Sequence, residues 1–277
     1  MRLFVASFVL FGLLTASNLI AQEAKTVAPV EESDGVDDVL APYVEAATKK
    51  WAKEIDKFDA INASEKDPAD AIMFIGSSSI RRWTTLATDM TPFRTIRRGY
   101  GGAKYTDMGV FVRKIISPHQ YRALVMFVGN GVVGAPEDHT PDQIESLTRY
   151  IVSQSHEHQP GAPVFLIEIT PCEKRFKAWP KIRAVNARLR EVALSTPHTY
   201  FVPTASHFLK PDGTPQSDFF VEDRLHLNAD GYKLWTTLIR KRLDDVLRSM
   251  ADLAKNCLLY TSPSPRDQRG SRMPSSA

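Results

Sequence analysis

The chain has 277 residues, 43% of them hydrophobic and 24% charged, a composition ordinary for a soluble globular protein and sufficient for one sizeable core with short appendages. Its formal net charge of +3 resides in Arg2 and in the last stretch, where Arg266, Arg269 and Arg272 outnumber Asp267. Residues 22–255 are therefore neutral overall, and the basic pI of about 8.8 is no argument for a nucleic-acid partner. There are two cysteines, Cys172 and Cys257, and only the first falls in the expected domain. An intrachain disulfide framework is excluded, and Cys172 reads as a single buried thiol.

In chain order, Arg2 precedes an apolar stretch that closes on small or polar residues in "TASNLIAQEA". This pattern predicts a secretory signal over residues 1–21, cut near Ala21 or Ala24, and hence an exported, periplasmic or extracellular protein. A bilayer span fits less well, because Ser7, Ser17 and Asn18 break a run that is already short. Residues 22–38 are acidic and unpatterned, a linker. From Val39 to about Ala63, Val44, Ala47, Trp51, Ile55, Phe58 and Ile61 recur at spacings of three and four, predicting an amphipathic helix that braces or lids the domain.

Five short apolar runs follow: "AIMFIG" (71–76), "FRTIRRG" (93–99), "ALVMFVG" (123–129), "PVFLIEI" (163–169) and "TYFVPT" (199–204). Helical patterns lie among them, over Ile80–Ala87, Tyr105–Ile116, Pro141–His158, Lys181–Leu194 and Ala229–Met250. Strands alternating with helices at this spacing predict a three-layer α/β/α sandwich around a mainly parallel five-stranded sheet, flavodoxin-like, over residues 39–255. Beyond Lys255, residues 256–277 are rich in Ser, Pro and Arg and predict a disordered tail that looks like a translated cloning adaptor.

In sheets of this kind the ligand lies beyond the carboxyl ends of the strands. "FIGSSSIRRW" (74–83) places Ser78 there, two residues after the first strand, at a helix N-terminus that favours a developing anion. Serines at such a turn more often cap the helix. "DRLHLNADGY" (223–232) sets Asp223 and His226 three apart in a turn before the last helix, close enough for a carboxylate to hold an imidazole. The competing reading is a surface Asp and a capping His, with Asn228 capping the helix. Both motifs falling in one α/β domain favours a nucleophile and its base.

"FIGSSSIRRW", "RRGYGGAKYTDM", "VMFVGNGVVG" and "DRLHLNADGY" together resemble the four blocks of the SGNH, or GDSL-like, hydrolase superfamily, in order, with a nucleophile block of the GSSS type. The resemblance spans about Ala71 to Leu243. It implies a serine esterase without a cofactor: Ser78 as nucleophile, His226 as base, Asp223 orienting it. It also implies an oxyanion site made by the Ser78 and Gly102 backbone N–H groups and the Asn130 amide. Where the third block usually carries Asp after the asparagine, this chain has Gly131, which implies a looser asparagine loop.

Arg81, Arg82, Arg97, Arg98, Lys104 and Arg224 lie in or beside these blocks. They suggest a locally positive rim, with Arg81, Arg98 and Lys104 as substrate contacts and an O-acylated, short-chain, small-molecule or polysaccharide ester as partner. Ion pairing with nearby carboxylates is the plainer reading for at least half of them. His156 and His158, two apart on a helix, face different ways, so no metal site is expected. A non-catalytic glycan-binding relative, motivated by Gly131, and an O-acyltransferase using the same residues are the alternatives.

Overall fold

The computed structural model describes residues 34–261, with side chains for residues 40–255. The expected signal at 1–21 and much of the linker and tail lie outside the described residues.

The chain opens with α1 (Asp34–Ser64), then β1 (Ile72–Gly76), the short α2 (Ser78–Arg82) and α3 (Leu86–Asp89), β2 (Thr95–Gly99) and α4 (Tyr105–Ile116). It continues with β3 (Ala123–Phe127), α5 (Pro141–His158), β4 (Val164–Ile167), a 3-10 segment (Glu173–Ala178), α6 (Trp179–Ser195), β5 (Thr199–Val202) and α7 (Ala229–Thr261). All five expected strands form, each a few residues shorter at its ends than the apolar run that predicted it. The first helix begins at Asp34, inside the stretch read as linker. The last runs on to Thr261, into the stretch read as tail.

The five strands form one sheet in the order β2-β1-β3-β4-β5, and every pairing is parallel. The pleat sorts each strand's residues between two cores. Met73, Ile75, Leu124, Met126, Val164 and Leu166 pack on the face shared with α1, α4, α5 and α6. Ile72, Phe74, Val125, Phe127, Phe165 and Ile167 pack against Trp235, Ile239 and Leu243 of α7 on the other face. Both faces being covered explains why the strands read as continuous apolar runs without alternation. Each fully buried side chain of this size contributes roughly 1.5–3 kcal/mol.

Two local expectations differ. The pattern over Ile80–Ala87 is split into α2 and α3 because Trp83 turns into the core, stacks on Tyr232 and donates its indole N–H to Asp89 Oδ2 at 2.6 Å. In α1, Leu40 rather than Val44 faces the core with Ala47, Trp51 and Ile55, and Val44 is exposed.

The chain goes from β1 to β2 on one side of the sheet and then crosses to β3 on the other. A crevice therefore opens at the carboxyl ends of β1 and β3, where the strand order reverses.

Candidate active site

β1 ends at Gly76, whose φ is +143°, and a Cβ built there would stand 1.9 Å from the Phe127 carbonyl oxygen. Only glycine permits this approach, and it lets Ser77 N–H donate to that same oxygen at 2.9 Å. The chain thus leaves the sheet sharply and starts α2 at Ser78. Ser77 occupies the cap position of α2 but makes no side-chain cap bond, so the capping reading of the serines has no hydrogen bond behind it.

Ser78 Oγ lies 2.9 Å from His226 Nε2, and His226 Nδ1 lies 2.6 Å from Asp223 Oδ2. Partial burial pushes the Asp223 carboxyl up. The His226 and Leu225 backbone N–H groups, both donating to Oδ1 at 2.9 Å, and the imidazole outweigh it and hold its pKa down at about 2. An ionised carboxylate only accepts, so Nδ1 carries the imidazole proton and donates to it, leaving Nε2 to accept from the Ser78 hydroxyl. The arrangement can draw a proton from Ser78 Oγ as that oxygen attacks an acyl carbonyl.

The turn that carries Asp223 and His226 is tied on both sides. Val221 N–H donates to the His226 carbonyl at 2.9 Å, and Arg224 N–H donates to the Val221 carbonyl at 2.8 Å. Arg224 itself adopts φ +54°, a left-handed backbone that non-glycine residues rarely hold. Its guanidinium pairs with Glu173 at 2.6 Å, anchoring the turn to the segment after β4. Asn228 caps α7 as expected, accepting from Gly231 N–H at 3.0 Å.

Two adjoining spaces meet at Ser78 and His226. The outer one is an open cleft of about 350 Å³ that Gly102, Asn130, Arg81, Arg82, Trp51 and Glu54 help to line. The inner one, about 30 Å³, lies behind the serines against Phe127, Ile169, Cys172, Ile182, Phe220 and Trp235. Cys172 is buried there as a free thiol, and burial pushes its pKa up, so it is no competing nucleophile.

Ser78, His226, Gly102, Asn130 and Arg81 are therefore brought together around one cleft, with Asp223 behind His226, whereas Arg98 and Lys104 are not. Arg98 is only 3% exposed and turns to the α1 side of β2, where Asn62 Oδ1 accepts from it at 3.0 and 2.6 Å. The reason is the pleat: Arg98 shares a face with the buried Ile96. Arg97, on the opposite face, donates to the Arg81 carbonyl at 2.6 Å. Lys104 leads α4, its N–H donating to Asp107 Oδ2 at 2.9 Å, and its side chain is outside the cleft lining. Of the remaining arginines, Arg82 stands 3.9 Å from Asp223. The Arg81 guanidinium has no hydrogen-bond or ion-pair partner among the described residues.

Further residues that the sequence does not single out for the site line the cleft, among them Trp51, Glu54 and Arg175. Trp51 and Glu54 reach it from α1, where Trp51 reads equally well as core. Arg175 arrives from the 3-10 segment; its place just after the fourth strand, at the sheet's carboxyl edge, was the available signal.

A hydroxyl, an imidazole and a carboxylate hydrogen-bonded in sequence at the carboxyl edge of a doubly wound sheet are the arrangement expected of a hydrolytic α/β enzyme. The chain belongs to the GDSL-like lipase/acylhydrolase family, whose model matches residues 69–234. Among solved structures it is similar to a GDSL-like lipase from Bacteroides thetaiotaomicron, 17% identical with a TM-score of 0.59 over 69% of this chain and 98% of that one. A lipase/acylhydrolase from Enterococcus faecalis is 18% identical with a TM-score of 0.50, covering 64% and 96%. A carbohydrate esterase family 3 structure from Talaromyces cellulolyticus is 13% identical with a TM-score of 0.50, covering 65% and 99%. A search of curated proteins finds no match.

Proposed function

We propose that the enzyme hydrolyses short-chain O-acyl esters, acetyl esters foremost, carried on carbohydrates. Ser78 Oγ attacks the acyl carbonyl as His226 Nε2 takes its proton. The leaving alkoxide departs with that proton, and water repeats the cycle on the acyl-Ser78 ester to release the acid. Asp223 holds the imidazole in the required tautomer. The Ser78 and Gly102 N–H groups and the Asn130 amide receive the oxyanion.

The observation that carries this reading is the 2.9 and 2.6 Å relay from Ser78 through His226 to Asp223. A short acyl group is supported by the inner space of about 30 Å³ beside Ser78, where Phe127, Ile169, Phe220 and Trp235 supply the apolar part of the wall. One water needs roughly 10–15 Å³ on this measure, so the inner space is of a size to take an acetyl methyl. A sugar ester suits the open outer cleft, where the Trp51 ring lies beside Glu54, Arg81, Arg82 and Asn130, and the family 3 carbohydrate esterase is a relative by fold. The unpaired Arg81 supports a contact with an anionic substrate group. The reading includes export, supported by the N-terminal stretch after Arg2.

A fluorophosphonate probe tests it. Covalent labelling should map to Ser78 and be lost in His226→Ala. Labelling elsewhere, or undiminished labelling without the imidazole, would refute the assigned nucleophile and base.

A further inference from the structure

Asn130 follows β3 and lines both spaces next to Ser78. A side-chain amide is useful there only if its NH2 faces the reacting carbonyl, and a primary amide can be turned end for end at little steric cost. The residue after it is Gly131, at φ +98°, a backbone that would strain any side chain. No carboxylate is available from that position to hold the loop.

Another element supplies the hold. Arg175 Nη1 donates to the Gly129 carbonyl at 2.5 Å and Nη2 donates to Asn130 Oδ1 at 2.6 Å. A guanidinium has five donors and no acceptor, so the atom facing it must be the amide oxygen. Asn130 Nδ2 is thereby turned the other way, where one N–H reaches the Ala103 carbonyl at 3.3 Å and the second remains for the cleft. Burial lowers the Arg175 pKa, and among the described residues no carboxylate lies within ion-pairing distance of it. Among the described residues, both of its side-chain hydrogen bonds go to the asparagine loop.

We propose that Arg175 is a positioning residue, which fixes the loop Gly129–Asn130 and the orientation of the Asn130 amide so that Nδ2 points at the oxyanion. This rests on the active-site reading above. The loop that the sequence predicts to be loose for want of an aspartate is fixed from the segment after β4 instead. A fork of two parallel donors is required, which a lysine does not offer.

The test is a double-mutant cycle on p-nitrophenyl acetate hydrolysis with wild type, Arg175→Gln, Asn130→Ala and the double variant, each checked for a cooperative thermal transition. Arg175→Gln should lower kcat by about 10²-fold, the usual cost of a catalytic group displaced by roughly 1 Å, with KM nearly unchanged. In the Asn130→Ala background the same substitution should change kcat by less than about threefold, because the group it positions is gone. Wild-type kcat in Arg175→Gln, or an equal loss in both backgrounds, would overturn the assignment. If Arg175→Gln fails to fold, Arg175→Lys takes its place in the cycle under the same criteria, since it keeps the charge but not the fork. Ser78→Ala runs alongside. Activity surviving in that control would refute the active-site reading, whereas its loss together with an unaffected Arg175→Gln would refute the role of Arg175 alone.

Discussion

Ser78 Oγ and His226 Nε2 lie 2.9 Å apart although 148 residues separate them in the chain. What brings them together is the sheet. Ser78 leaves β1 at its carboxyl edge, and α7 packs across the same face with Trp235, Ile239 and Leu243, holding the turn before it over that edge. Tyr232 of α7 closes the arrangement by donating to the Ser79 carbonyl at 2.8 Å.

Replacing Asp223 by Asn leaves the shape of the turn but offers the imidazole a group able to stabilise the wrong tautomer. Turnover should fall by about 10⁴-fold, with KM little changed, in steady-state hydrolysis of an activated acetate ester.

Asp223 also links folding to pH. Its pKa in the fold, about 2, is below the ordinary aspartate value of 3.8, so ionisation favours the folded state. That contribution is fully present above about pH 4 and is lost as pH falls through 2. Thermal unfolding of wild type and Asp223→Asn between pH 2 and 5 should show a difference that shrinks as pH drops. A gap that widens on acidification would contradict the sign.

Asn130→Ala should cost about 10²–10³ in kcat, the usual worth of one oxyanion donor. A loss of only a few-fold would assign the donor to another group.

The inner space sets acyl length in this account, and Leu225 lines it while remaining half-buried, so it can be trimmed without emptying the core. Leu225→Ala should raise kcat/KM for butyrate relative to acetate by about tenfold, the lower end of what one or two methylenes are worth in a pocket. Initial rates on the two p-nitrophenyl esters measure it.

Gly76→Ala should destabilise the fold by at least about 1–3 kcal/mol, the cost of one strained backbone position, and more if the clash with the Phe127 carbonyl is not relieved. Urea unfolding of wild type and variant gives the difference.

Much of this was legible in the sequence because burial on both faces leaves strands as apolar runs, and two of the candidate site residues follow such runs directly. Ser78 and Asn130 are signals of that kind, whereas the Asp223–His226 pair was legible from its three-residue spacing just before the last helix. What escaped depends on which way a side chain turns. Arg98 reads like Arg81, yet the pleat sends it into the core beside Asn62. Val44 fits the helical spacing as well as Leu40 does, and only packing on α4 distinguishes them. Arg175 escaped because its partners, Gly129 and Asn130, lie across a strand connection, and the missing aspartate at Gly131 pointed toward a loose loop or a non-catalytic relative. Its guanidinium reaches the same loop from the segment after β4.

In the proposed function, Ser78 is the nucleophile of an acetyl esterase. The most direct measurement is p-nitrophenyl acetate hydrolysis by the wild-type protein and by Ser78→Ala, both shown to be folded. Wild type should turn over acetate, and butyrate more weakly, while Ser78→Ala should be indistinguishable from the uncatalysed background. Equal activity in the two proteins would contradict that role for Ser78.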